Sequence, residues 1–294
     1  EGKNAPDAAL LLKLSRYDAS MIASEYGLDF PIDGGSPSSE NIRLAQAIAA
    51  SLSDTDLPES LPKIGAALWR NDAGALEVLA ESLGKATEFK VEASLDAGTE
   101  LRAKLKHYSG AMFYYEGEWY WGIDRLHYLE ERLVSLGASR APTEQFVAPC
   151  PNVSVEGVSD ASTLTLEFFP SLRSPYTSIV FDETVALAER IGINFVMRPV
   201  LPMVMRGVPA TREKGMYIFS DTAREARRRG VPYGNFHDPI GNPVRRCYSI
   251  YPWAVSQGRG TELLSSFLKH AFSMGVNTNN NRGLKRVVQA AGLD

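Results

Sequence analysis

Thr163-Leu164-Thr165-Leu166-Glu167-Phe168-Phe169 is followed, five residues on, by Ser174-Pro175-Tyr176-Thr177. The first segment alternates apolar with polar residues and is rich in β-branched and aromatic side chains, the pattern of a half-buried strand. Pro175 suits a first helical turn, where the missing N–H has no intrahelical partner to lose. Ile179, Val180, Val185, Leu187 and Ala188 then supply an apolar stripe, and Gly192 is placed to stop the helix. Ile193 through Val200, broken at Pro199, reads as a second strand. Strands over 163–169 and 193–198 with a helix between them make a β-α-β unit, expected to be parallel and right-handed.

A complementary piece lies earlier in the chain. Ala111 through Tyr115 reads as an aromatic strand, Glu116-Gly117 as a tight turn and Glu118 through Trp121 as its antiparallel partner. From Asp124 an amphipathic helix follows through Leu126, Leu129 and Leu133. Trp119, Tyr120 and Trp121 are read as core and strand-pairing residues.

Helical periodicity dominates the remainder, and it repeats. Asp18, Ala23, Gly27 and Phe30 recur as Asp221, Ala226, Gly230 and Tyr233, each 203 residues later, and Leu76 through Leu79 with Gly84 resemble Leu284 through Val287 with Gly292 at a spacing of 208. Two related helical segments are expected, over 5–84 and 212–294. The organisation that follows is residues 1–136 as a helical segment with a hairpin and helix, 137–162 as a linker containing Pro142, Pro149 and Pro151, and 163–294 as the β-α-β unit with the second helical segment. The first copy's β-α-β would lie before Glu1 and the second copy's hairpin beyond Asp294, so the chain reads as the middle of a longer tandem protein. The alternative is a permutation whose two halves complement each other in one sheet.

Composition narrows the function classes. With 44% hydrophobic and 22% charged residues, the 294-residue chain has material for two ordinary cores. No apolar run reaches the length of a membrane span. A formal net charge of −4 argues against nucleic acid. The cluster Arg224, Arg227, Arg228 and Arg229, with Glu225 among them, is read as a solvated helix face. Cys150 and Cys247 are the two cysteines, so the chain holds no Cys-X-X-Cys and no four-cysteine zinc site; free thiols in a reducing cytoplasm are expected. The four histidines, His107, His127, His237 and His270, show no metal spacing and are read as structural or exposed.

The β-α-β unit, the hairpin and the intervening helices resemble the thioredoxin-fold proteins of the DsbA, 2-hydroxychromene-2-carboxylate isomerase and kappa-class glutathione transferase type. Ser174-Pro175-Tyr176-Thr177 stands where the oxidoreductases place Cys-Pro-X-Cys and the glutathione-using members Ser-Pro-X-Ser. The resemblance extends to Arg198-Pro199, to Lys214-Gly215 with Tyr217 and Asp221, and to Asp124-Arg125-Leu126. It implies an α/β thioredoxin-like fold with large helical insertions, in parts of two tandem copies. It further implies a glutathione-dependent isomerase or transferase acting on a small-molecule electrophile, with Ser174 stabilising the glutathione thiolate. Tyr176, Lys214 and Asp124 would then help to hold glutathione, Lys214 at the glycyl carboxylate and Asp124 at the γ-glutamyl amine. Ser before Pro is also an ordinary helix cap, and Asp at a helix start is ordinary capping. Ala111 stands where thioredoxin folds carry a cis-proline, and Arg173 sets a cation beside Ser174. The competing readings are a non-catalytic thioredoxin-fold binding protein and a disulfide oxidoreductase, the latter lacking its cysteine pair. The oligomeric state is left open.

Overall fold

The computed structural model describes residues 8–33, 35–138, 140, 146–151, 156–157 and 160–294. The chain forms two compact units, one spanning Pro6–Pro151 and the other containing Asn152–Asp294. This division falls inside the expected linker 137–162, of which residues 139, 141–145, 152–155 and 158–159 lie outside the described residues. The architecture is mixed α/β and mostly helical, and no described helix is long and apolar enough to cross a membrane.

The N-terminal unit begins with five helices, α1 (Ala8–Glu25), α2 (Ser39–Ser51), α3 (Leu57–Trp69), α4 (Ala73–Leu83) and α5 (Glu88–Lys104). Local chemistry starts several of them. The Ser38 hydroxyl accepts from the Asn41 N–H at 3.1 Å, the Asp72 carboxylate from Ala75 at 2.9 Å and the Thr87 hydroxyl from Lys90 at 3.4 Å, each satisfying one of the donors a helix start leaves open. Ile48, Ile64, Leu76 and small alanines between them form the core shared by α2, α3 and α4. The hairpin follows as β1 (Met112–Tyr115) and β2 (Glu118–Trp121), in antiparallel register from Met112 opposite Trp121 to Tyr115 opposite Glu118. Glu116 and Gly117 both have positive φ, 39° and 87°, the requirement of a tight two-residue hairpin turn. A 3-10 turn over Ile123–Arg125 leads into α6 (Leu126–Ser135), so the α-helix starts two residues later than the sequence pattern indicates. Tyr120 is buried as expected, but Trp121 is exposed.

The C-terminal unit contains β3 (Thr165–Phe168), α7 (Pro175–Ile191), β4 (Asn194–Met197), α8 (Arg212–Arg229), α9 (Asn242–Ser256), α10 (Gly260–Phe272) and α11 (Asn281–Ala290). β3 and β4 are parallel, with Thr165 opposite Asn194 and Phe168 opposite Met197. Both strands are shorter than their apolar runs, β3 covering four of residues 163–169 and β4 four of residues 193–198. Gly192 ends α7 in the left-handed conformation, φ 66°. The core is built from Leu172, Phe181, Val244, Leu263, Phe267 and Phe272, with Phe168 and Met197 of the sheet packed against it.

Helix starts keep a common spacing between the units. Ser39 and Asn242 stand 203 residues apart, as do Leu57 and Gly260, while Ala73 and Asn281 stand 208 apart. The closures of α1 and α8 match in detail: Leu28 N–H donates to Ala23 at 2.8 Å and Val231 N–H to Ala226 at 2.9 Å, around Gly27 and Gly230 with φ of 64° and 66°. What fills the two cores differs, since buried Asn41 and Ser60 correspond in spacing to Val244 and Leu263. The β-α-β and hairpin-helix pieces lie in different units, each with its own two-stranded sheet.

The arginine-rich stretch of α8 corrects the reading of it as a solvated face. Arg227, Arg228 and Arg229 are exposed, but Glu225 is buried and Arg224 turns inward, its guanidinium 3.6 Å from the buried Asp221 carboxylate.

Core packing sets a measurable contrast. Phe267→Ala should cost the C-terminal unit about 3–5 kcal/mol, the range for deleting a fully buried aromatic side chain, whereas Phe89→Ala, at a residue 84% exposed, should fall within about 0.5 kcal/mol of wild type. Urea unfolding of both variants by circular dichroism measures the difference.

Candidate functional site

The turn between β3 and α7 is arranged by its own backbone. Ser174 N–H donates to Ser171 O at 2.9 Å, and Ser174 then sits in an extended conformation with Pro175 opening the helix. Its Oγ accepts from the Thr177 N–H at 3.2 Å, so Ser174 is the N-cap of α7. A hydroxyl that accepts through a lone pair still has its own O–H to donate. Capping and donation to a ligand are therefore compatible at this serine.

Ser174 lines a cavity of about 370 Å³. Its walls are Ser171, Arg173, Pro175 and Tyr176 from the start of α7, Pro202, Met203 and Val204 from the segment after β4, Thr211, Arg212, Gly215, Ile218 and Phe219 from α8, and Phe236 and Ile240 from the loop after α8. The lining is largely apolar, with polar groups gathered at the helix start. Such a cleft beside a helix N-terminus favours a ligand with an apolar body and one negatively charged atom.

Two carboxylates organise the walls. Asp221, 1% exposed, accepts from Tyr176 Oη at 2.8 Å and Tyr217 Oη at 3.4 Å, with the Arg224 guanidinium beside it. The first turn of α7 is thereby tied to α8, and the Tyr176 ring is held against the cavity. Asp238 takes Arg173 in a bidentate pair, Nε and Nη2 each donating at 2.8 Å, and also accepts from Ile240 N–H at 3.1 Å. Arg173 is thus not an uncommitted cation beside Ser174: its charge is matched by Asp238, and the pair pins the Phe236–Ile240 loop to the start of α7.

The other sequence candidates separate. Tyr176 lines the cavity with Ser174. Lys214 is half-buried on the first turn of α8, its N–H capped by Thr211, but it is not among the lining residues; the cation that α8 contributes to the wall is Arg212, two residues earlier. Nothing in the local sequence distinguishes Arg212 from Lys214, since the choice depends on how α8 is rotated. Asp124 belongs to the N-terminal unit, in the 3-10 turn before α6, and pairs with its neighbour Arg125 at 2.7 Å. Ala111 takes a left-handed conformation, φ 54°, just before β1, one residue short of the expected strand. No cis peptide occurs among the described residues, nor any group of histidine, cysteine or carboxylate side chains that could hold a metal.

Both cysteines are free thiols. Cys247 is fully buried in the C-terminal core, and burial pushes its thiol well above the usual range because the thiolate would lose its hydration. Cys150 is partly exposed. At pH 7.5 iodoacetamide should therefore alkylate Cys150 in the folded chain and leave Cys247 unmodified until denaturant is added, read by peptide mass spectrometry. Equal labelling of the two in the native state would contradict the packing around Cys247.

Comparison of the chain with protein-family models, curated proteins and solved structures finds no match in any of the three.

Proposed function

We propose that the cavity at the start of α7 is the sulfur site of a glutathione-dependent isomerase or transferase of the DsbA and kappa type, in tandem thioredoxin-like units. The observation that carries this reading is the Ser174 hydroxyl, which caps α7 from within an apolar-lined cavity while its proton remains available to a ligand.

In this reading Ser174 donates to the sulfur of glutathione, and the open N–H groups at the start of α7 add their partial positive charge. Together they favour the thiolate over the thiol, whose ordinary pKa is near 8.5. The thiolate adds to the β-carbon of a conjugated electrophile, the π electron pair moves onto the enolate oxygen, the carbon–carbon bond, now single, rotates, and the enolate expels the thiolate to restore the double bond. Tyr176, fixed by Asp221, shapes the sulfur end, and Met203, Val204, Ile218 and Phe219 offer an apolar surface to the electrophile. Arg212 is placed to meet a carboxylate of either substrate, a role the family resemblance gives to Lys214.

The second reading, a binding protein without catalysis, is favoured by the cap hydrogen bond itself, since a serine whose work is capping needs no ligand. Thiolate absorbance of bound glutathione against pH separates the two. Ser174→Ala should raise the bound thiol's pKa by about one to two units, the equivalent of a lost hydrogen bond to a charged group worth about 1.5–3 kcal/mol. The protonated thiol then persists to higher pH, so turnover falls more at pH 7 than at pH 9. Stability should drop by only about 1 kcal/mol for the cap. Superimposable titrations would leave Ser174 as a cap alone and favour the binding protein.

A further inference from the structure

Arg16 is buried in the N-terminal unit, 7% exposed, against the mutually packed rings of Phe30 and Trp69, whose centroids lie 5.3 and 5.8 Å from its guanidinium carbon. Its Nη2 donates to the Pro31 carbonyl, while Nε and Nη1 are buried without a hydrogen-bond partner. No carboxylate pairs with it among the described residues. The two rings offset part of the lost hydration through their π-faces, but unmet donors on a buried cation are costly, and an oxyanion is the group that would satisfy them.

Arg16 also lines a hollow of about 370 Å³ between α1 and the segment that follows it. Leu12, Tyr17 and Ile32 line it and are 41%, 53% and 45% exposed, an uncovered apolar rim. Lys13 adds a second positive charge and Asp33 a negative one, and neither forms an ion pair among the described residues. The hollow also occupies a familiar place. Leu12, Arg16 and Asp33 stand 203 residues before Gly215, Phe219 and Phe236, which line the cavity at Ser174.

We propose that this hollow is a binding site for a small organic oxyanion, a carboxylate or phosphate monoester with an apolar body. The head group is directed at the Arg16 side chain, whose Nε and Nη1 have no protein partner, and the apolar body lies on Leu12, Ile32 and Tyr17. Lys13 draws the anion in and Asp33 opposes it. Where the C-terminal cavity has the apolar Phe219, this one has a cation, so the two positions take ligands of different chemistry.

Isothermal titration of the full chain with benzoate, phenyl phosphate and neutral benzamide tests this. Benzoate, phenyl phosphate or both should bind, which identifies the preferred head group, and benzamide should not. Arg16→Gln should weaken binding at least about tenfold, as expected for a lost hydrogen bond to a charged group. Asp33→Asn, a change at an exposed residue, should tighten it a few-fold. If Arg16→Gln does not fold, the tightening by Asp33→Asn and the preference for the bound anion over benzamide decide the matter. Binding of neither anion in preference to benzamide, unchanged affinity in folded Arg16→Gln, or no effect of Asp33→Asn would overturn the proposal. So would binding that disappears in Arg212→Gln and survives in Arg16→Gln, because the oxyanion would then sit in the cavity at Ser174.

Discussion

A two-stranded sheet cannot hold itself together in water, and each unit of this protein contains one sheet of that size. Its remaining support must come from helices, which explains why so much of the chain is helical. In the C-terminal unit Phe168 and Met197 bring the sheet onto the apolar core that includes Phe181, Phe267 and Phe272. In the N-terminal unit the hairpin is held from both sides. Trp119 Nε1 donates to Leu105 O at 3.1 Å, just past α5, and Arg132 of α6 donates to Tyr115 O at 3.0 Å while lying over the Tyr115 ring.

The same dependence positions the cavity at Ser174. Parallel strands deliver the loops after β3 and β4 to one end of the sheet, where Tyr248 Oη lies 2.9 Å from Val200 O and 3.2 Å from Pro170 O. Ser174 and the Met203–Val204 wall are thereby set near each other before any ligand contributes. Asp221 and Asp238 complete the arrangement with charge, one from α8 and one from the following loop. With Arg173 already paired to Asp238, the Ser174 hydroxyl, the Arg212 guanidinium and the α7 N-terminus are the polar features at that end of the pocket.

The two helical segments show how one pattern of helix starts accommodates different interiors. Equivalent spacing puts Asn41 and Ser60 inside one unit and Val244 and Leu263 inside the other. Position 16 and position 219 follow the same logic: a buried cation against two aromatic rings in one case, a phenyl ring in contact with Phe236 in the other. Backbone closure around Gly27 and Gly230 is shared because it depends on φ and on one carbonyl four or five residues back. The side chains turned inward have no such restriction.

By itself the sequence determined what depends on neighbours within a helical turn or a hairpin. The alternation over 163–169, Pro175 at a helix start, Gly192 at its end and Glu116-Gly117 between two aromatic strands are local steric and hydrogen-bonding codes, and each element stands where those codes place it. The tertiary structure decided the partners of charges. Arg173 finds Asp238 at a separation of 65 residues, Arg224 turns to Asp221 while Arg227, Arg228 and Arg229 face water, and Arg16 lies against Phe30 and Trp69. It decided equally that Arg212 and not Lys214 faces the cavity, and that Asp124 and Ser174 belong to different units. The physical reason is range: capping, turns and periodicity are settled within about four residues, whereas the burial and pairing of a charge depend on which distant surfaces the folded chain brings against it.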